Sequence, residues 1–460
     1  MLSQSDRLGK EPIPKLLVDF AVPAVVGMFV MSFHNIIDTF FVSRYIGTIG
    51  VGALSVAMPV QLITLAVSAA TGIGGASIIS RWLGANEPEK ANKVFGNVLG
   101  IASFFSILGI ILGICFLTPI LYLFGSSEGI LPYAGDYLSI ILYGTPFFVF
   151  GMSTNNIIRS EGGAKPAMIA VLTSAILNII LTPIFIFILG LGIKGAAYAT
   201  VIAQGISVVY QYIYFASEKS IFTFKAAYLL PEWSIVKQIV SIGSSFFASQ
   251  AAGSLVLIVV NHTLVSYGGD LAISVFGILY KVIQFTILPL MGISQGLLPL
   301  VGYNYGARQY ERVSESIALA IKSGVLLSLV AFVVLMSFPK FVISIFTGEA
   351  AALEMGGRAL RILFSMNLTV SVQLTVNGVF QALGRAKEAF ILSMARQIFI
   401  LIPLVLILPI YLGLTGIWLS YPTADFLSAL IVLWFIRRNK DIFVFTRRGS
   451  RSDETAPVEI

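Results

Sequence analysis

The chain has 460 residues, 57% of them hydrophobic and only 11% charged, with a mean hydropathy of +0.92 and a formal net charge of +7. A water-soluble domain averages about 25% charged residues, so that class is excluded. Apolar runs of about 20 residues, the length a membrane-spanning helix needs, recur from Leu16 to Ile436, whereas a β-barrel would show alternating segments of about ten.

The first 15 residues are polar and lack the apolar core and cleavage site of a secretory signal, so insertion rests on the first span. Twelve spans are expected, making an all-α polytopic membrane protein. Six begin near Leu16, Gly52, Val94, Ile130, Pro166 and Ile193, which gives a cytoplasmic segment 1–15 and a six-helix bundle 16–215. The polar stretch "ASEKSIFTFKAAYLLPEW" (Ala216–Trp233) marks a cytoplasmic linker, 216–234. Six more spans begin near Ile235, Ala272, Ile317, Ala352, Glu388 and Leu414, giving a second bundle 235–436 and a basic cytoplasmic tail 437–460.

In span 1, His34, Asn35 and Asp38 share a helical face, since positions three and four apart stack, and Pro23 can break a backbone bond near its start. An acid inside a membrane is costly and functional by default. Cys115, the single cysteine, lies in an apolar run of span 3 and reads as a packing residue, with no internal disulfide open to it. Tyr137 and Asn155 lie near the two ends of span 4, Asn178 and Thr182 stack four apart in span 5, and Thr200 is in span 6. The first half therefore has one deep carboxylate among neutral oxygen ligands. Burial disfavours its charge; a proton can neutralise it, or Na⁺ can share it with Asn178, Thr182 and Thr200.

In the second half Val260 takes the place of Asp38, beside Asn261. Lys281 and Gln284 fall in span 8, Gln373, Asn377 and Gln381 recur every four residues in span 10, Arg396 and Gln397 lie in span 11, and Asp425 in span 12 can pair with Arg396. Amides of this kind also act as interhelical glue worth about 0.6 kcal/mol. The candidate substrate cavity is Asn35, Tyr137, Asn155, Asn261, Lys281, Gln284, Gln373 and Asn377. The two histidines, His34 and His262, read as packing residues, and with the single cysteine they are too scattered for a resident metal set. No HExxH motif or phosphate-binding loop is present. A transporter without a cofactor is expected, not an enzyme.

Counting the termini and even-numbered loops as one side puts 22 of the 29 Lys and Arg there. The positive-inside rule makes that side cytoplasmic, with both termini. The tail "RRNKDIFVFTRRGSR" reads as an orientation signal against anionic lipid, because no groove-reading module accompanies it to suggest nucleic acid.

Sliding the chain by 222 residues places Tyr45 and Gly47 on Tyr267 and Gly269, Gly74, Gly84 and Ala85 on Gly296, Gly306 and Ala307, and Asn155 on Asn377. Gly162, Ala164, Lys165 and Ala167 fall on Gly384, Ala386, Lys387 and Ala389, and after a one-residue gap Gly195 falls on Gly416. Six spans per half is even, so both halves enter the membrane in the same sense, as parallel repeats about an axis along the membrane normal.

With "NIIDTFFV" (Asn35–Val42), "GIGGASIISRWLGA" (Gly72–Ala85), "NNIIRSEGGAKPAM" (Asn155–Met168), "LNIILTPIFIFILGLGIKGAAYAT" (Leu177–Thr200), "MGISQGLLPLVGYNYGA" (Met291–Ala307) and "QALGRAKEAF" (Gln381–Phe390) in this order, the chain resembles the multidrug and toxic compound extrusion (MATE) family, most closely its DinF/MepA-like branch. The likeness runs from about Lys15 to Arg438. It implies a V-shaped pair of six-helix bundles, a monomer in the cell membrane, exporting organic and often cationic compounds by H⁺ or Na⁺ antiport. Asp38 matches the family's membrane acid, and Tyr137, Asn155, Asn178 and Thr200 match polar positions around it. Relatives commonly carry a second aspartate in an "LDP"-like triplet where this chain reads "LTP" (Leu181–Pro183), so Thr182 leaves one carboxylate where a pair is usual. A lipid-linked-precursor flippase is the alternative; it calls for a basic central cavity, and only Lys281 and Arg396 lie within spans.

Overall fold

A computed structural model of the chain describes residues 4–443, and among these there are helices and no strand. Residues 1–3 of the N-terminal segment and 444–460 of the basic tail, with Arg447, Arg448 and Arg451, lie outside the described residues. Eleven helices are long and apolar enough to cross a membrane. One of these, Trp233–Gly306, runs for 74 residues and is broken at Gly269 (φ 62°, ψ −161°), so it contains two spans and the total is twelve.

The spans are Ile13–Ile46, Thr48–Gly84, Pro88–Cys115, Leu131–Ser160, Ala164–Pro183 and Gly192–Ala216 in the first half. In the second they are 233–268, 270–306, Tyr310–Ser337, Ala350–Ala382, Ala386–Leu412 and Leu414–Arg438. Several helices begin well before the apolar run; span 9 starts at Tyr310, not near Ile317. Backbone bonding does not stop where hydrocarbon ends, and Glu311 in that first turn suits the positive end of the helix.

The repeat is written in the backbone. Positive φ recurs at Gly47 and Gly269 (78° and 62°), Asn86 and Arg308 (59° and 57°), Gly162 and Gly384 (104° and 74°), and Gly192 and Gly413 (58° and 55°). These are the same corners of the two halves, since each pair is separated by the repeat spacing. Glycine holds most of them because a side chain at positive φ is strained.

The described residues form two compact units. One comprises residues up to Glu11 with Val22–Gly243, and the other comprises Pro12–Ala21 with the described residues from Ser244 onward. The opening turns of span 1 thus group with the second unit and those of span 7 with the first. Small residues permit this. A Cβ on Gly74 would lie 2.2 Å from the carbonyl oxygen of Ile239, and one on Gly243 would lie 2.3 Å from that of Ala70. In the second unit a Cβ on Gly296, the repeat-mate of Gly74, would lie 2.9 Å from the backbone nitrogen of Ala21. Lipid offers no hydrophobic force between helices, so close backbone approach of this kind is what membrane packing uses.

The first unit has a core around Val42, Leu138, Leu142, Ile186 and Ile193. The second is centred on Phe276, Trp418 and Tyr421, whose rings lie 6.2 to 6.4 Å from that of Phe276. The linker lies on span 3 within the first unit. Asn92 exchanges bonds with Thr223 (3.2 Å to its hydroxyl, 3.1 Å from its N–H), Asn97 Oδ1 accepts from the N–H of Glu232 at 2.7 Å, and Phe222 stacks on Phe95 at 5.0 Å.

Candidate functional site

Span 5 runs through Asn178 and Thr182 to Pro183, where the α-helix gives way to a π-turn, Ile184–Ile188. Proline supplies no N–H to the turn before it, and π-turns widen a helix locally, often at functional positions. Gly195 of span 6 lets that helix press against the widened backbone, since a Cβ there would lie 2.7 Å from the carbonyl carbon of Phe185. Thr200, five residues on, is thereby brought level with Asn178.

Asp38 meets these residues from span 1. The Thr182 hydroxyl donates to Asp38 Oδ1 at 2.9 Å, bridging 144 positions of sequence. Assigned from its hydrogen-bond network, the Asn178 amide turns Nδ2 towards Asp38 Oδ1 (3.0 Å), His34 Nδ1 (3.0 Å) and Thr182 Oγ1 (3.1 Å). Its oxygen accepts from the Thr200 hydroxyl at 2.9 Å and the Thr200 N–H at 3.3 Å. Asn178 and Thr182 are 1% and 0% exposed, so the carboxyl is held from its dry side by fixed dipoles, while Asp38 itself is only half-buried. Tyr137 is buried nearby and its hydroxyl accepts from Gln61 Nε2 at 3.3 Å.

Other residues singled out from the sequence stand elsewhere. Asn35 is exposed, and its carbonyl accepts from the Thr39 hydroxyl at 2.9 Å. Asn155 is engaged at both ends, donating to Ala167 O at 2.7 Å and accepting from Arg159 Nε at 3.2 Å, so it ties span 4 to the start of span 5.

The second unit has its own polar cluster. Arg396 Nε donates to Asp425 Oδ1 at 2.6 Å in an ion pair buried at its carboxylate end. Gln373 Nε2 donates to the Asp425 carbonyl at 3.2 Å, and Asn377 Nδ2 donates to Ser393 Oγ at 3.0 Å. The side-chain oxygens of Asn377 and Gln397 are buried without a donor, which leaves acceptors in reserve for an N–H or a cation. Arg396 and Gln397 belong to a π-helical stretch, Ala395–Leu401. Among the described residues Asn261, Lys281 and Gln284 make no bond to this cluster; Lys281 is exposed, with Nζ 5.8 Å from the Phe346 ring centre.

His34, expected as a packing residue, accepts from Asn178 beside Asp38, and Gln61 joins the site through Tyr137. The signal for His34 was present in its i, i+4 relation to Asp38. Nothing in the sequence tied Gln61 to Tyr137.

Comparison with known proteins gives a consistent result. The MatE family profile matches the chain twice, over residues 23–184 and 245–407. Multidrug export protein MepA of Staphylococcus saprophyticus is 27% identical over 431 residues, 93% of this chain and 95% of that protein. The MepA of Staphylococcus aureus strain N315 is 27% identical over 434 residues, covering 94% and 95% of the two chains. Among solved structures, the MATE multidrug transporter DinF-BH in complex with rhodamine 6G superposes with a TM-score of 0.89 at 41% identity, over 97% of this chain and 100% of that one. An outward-facing multidrug resistance MATE family transporter of the MOP superfamily superposes with a TM-score of 0.89 at 25% identity, over 96% and 99%.

Proposed function

Because the chain belongs to the MatE family of multidrug and toxic compound extrusion transporters, we propose that its Asp38 carboxyl is the group through which an ion gradient drives export. The protein is a multi-pass multidrug efflux antiporter of the cell membrane. Its cargo is small organic molecules, amphipathic or cationic compounds such as the rhodamine 6G of the DinF-BH complex. The distribution of Lys and Arg supports a cytoplasmic position for both termini.

What supports the role of Asp38 is its bond to the buried Thr182 hydroxyl at 2.9 Å, with the Asn178 amide N–H groups beside it. These neighbours donate. A carboxyl met by O–H and N–H groups on its dry side and open on the other suits the loss and gain of a proton. Sodium needs oxygen lone pairs turned towards it, so the amide would have to rotate and give up its bonds from Thr200. We therefore read the coupling ion as H⁺. Protonation drives transport when the neutral carboxyl favours one conformation over the other. In the second unit the unpaired oxygens of Asn377 and Gln397 can contact a cationic or N–H-bearing cargo. A flippase for pyrophosphate-linked lipids is not favoured, since of the two cations that the sequence sets inside the apolar runs, Lys281 and Arg396, Arg396 is already paired to Asp425.

The test is purified protein in liposomes, with pH and Na⁺ gradients imposed separately and efflux of the rhodamine dye followed by its fluorescence. The pH gradient alone should drive efflux, and Asp38→Asn should reduce it to the rate of empty vesicles. Full gradient-driven efflux by D38N would remove Asp38 from the mechanism; efflux driven by Na⁺ alone would reverse the choice of ion.

A further inference from the structure

Spans 11 and 12 enclose a recess of about 830 Å³ at the end of the second unit where the basic residues cluster. Among the described residues its mouth carries Arg385, Lys387 and Arg438, with Glu388 as the single acid. Arg385 Nη1 donates to Asn439 Oδ1 at 2.7 Å and stands 3.8 Å from Glu388, which offsets one of the three cations. Arg438 lies over the Trp434 ring at 5.2 Å. Beyond this polar rim the wall is Ile391, Leu430 and Ile431, and it opens onto an apolar surface where Ile391 and Leu430 are each 48% exposed.

Charge and shape together narrow the occupant. A net surplus of two cations repels the cationic cargo of the exporter and attracts an anion. The apolar wall has no use for a fully hydrated ion, and a half-exposed tryptophan at the rim is the residue type that sits at headgroup level. Basic recesses between spans at this depth suit phosphate-bearing lipid heads. The recess is not a by-product of the repeat either: the positions related to Arg385, Trp434 and Arg438 in the first half are Gly163, Ile213 and Ser217.

We propose that this recess binds an anionic phospholipid, with its phosphate between Arg385, Lys387 and Arg438 and an acyl chain along Ile391, Leu430 and Ile431. Its assignment to the cytoplasmic leaflet rests on the orientation given above; the headgroup preference does not.

The test uses the full chain in nanodiscs containing phosphatidylglycerol or phosphatidylcholine brominated in the acyl chains, reading the quenching of Trp434 as wild type minus W434F. Two net charges, each worth about fivefold, should let the anionic lipid reach half-quenching at roughly 25-fold lower mole fraction than the zwitterionic one. K387Q, at an exposed position, should reduce that advantage about fivefold. The triple variant R385Q/K387Q/R438Q should abolish it, while K90Q/K219Q/K322Q, with equal loss of charge elsewhere, should leave it intact. Inorganic phosphate at about 10 mM, where the Debye length is still about 30 Å, should not compete. Equal quenching by the two lipids overturns the proposal. So does loss of the anionic advantage on adding phosphate, which would mark a site for a soluble anion.

Discussion

At Asp38 the chemistry turns on which neighbours donate and which accept. Thr182 stands four residues after Asn178 on span 5, and its hydroxyl donates a hydrogen bond to Asp38. Thr182→Val keeps the shape and removes that donor, but Asn178 still reaches the carboxyl. Pulling out one bond to a charged group costs about 1.5–3 kcal/mol, so T182V should slow dye efflux at least several-fold while leaving it dependent on the pH gradient, unlike D38N. Gradient-independent efflux by T182V would show that Thr182 does more than support its neighbour. The pair Arg396–Asp425 allows a sharper contrast. Asp425→Asn leaves a partly buried guanidinium without its counter-charge, a change whose cost is bounded by the about 3–5 kcal/mol of breaking a fully buried pair. Melting of D425N in detergent should fall well below wild type, and the double variant R396L/D425L should recover most of the loss. Asp38, Asn178 and Thr182 could be found from the sequence because helical spacing stacks them in pairs. Their meeting across 144 positions follows from the family resemblance and not from helical spacing, because it depends on the widened turn after Pro183 and the close approach at Gly195.

Helices here are shaped by glycines at corners and by two π-helical stretches. The corners are partly legible: Gly47 and Gly269 match in the repeat, as do Gly162 and Gly384. Asn86 and Arg308 share the same left-handed turn, yet no residue type linked them. Apart from Pro183 at the head of the first, the π-turns at Ile184–Ile188 and Ala395–Leu401 have no compositional mark, since their residues serve an α-turn equally well. Gly269 isolates the backbone term. A Cβ there would meet nothing within 4 Å, so Gly269→Ala tests conformation without a clash. Its φ of 62° with ψ of −161° is a region open almost only to glycine, and G269A should destabilise by about 1–3 kcal/mol. Gly74→Ala meets the Ile239 carbonyl instead and should be worse, lowering both folded yield and melting temperature. If G74A melts no lower than G269A, the packing of span 7's opening turns on span 2 is looser than these distances imply.

For the whole molecule, span count and class are plain from hydropathy and the repeat from residue matches at one offset, and the matched positive-φ corners carry the same symmetry. The allocation of Pro12–Ala21 and 233–243 to opposite units was not, because apolar composition does not say which neighbour a helix end packs on. Nor was the seat of the linker. It is held just past the end of span 4 by Glu161, whose Oε2 accepts from the Ser220 hydroxyl at 3.0 Å and the Ile221 N–H at 3.2 Å, while Oε1 is buried with no donor. Burial pushes this carboxyl up to about 7 from an ordinary value of 4.5. A raised carboxyl favours the docked linker while it is protonated. That contribution is full below about pH 4.5, where the proton is bound whether or not the linker is docked. It declines as pH rises to about 7 and is gone above that, where the buried group is ionised in both states. Hydrogen exchange of residues 218–224, corrected for intrinsic rates, should therefore lose protection on the order of 100-fold between pH 4.5 and 7 and change little beyond. Glu161→Gln keeps the size and the accepting oxygen but cannot ionise, so its linker should hold one level of protection across the range. Unchanged pH dependence in E161Q would place the titrating group elsewhere. The expected result would make the tether between the two repeats a second proton-sensitive element, separate from Asp38.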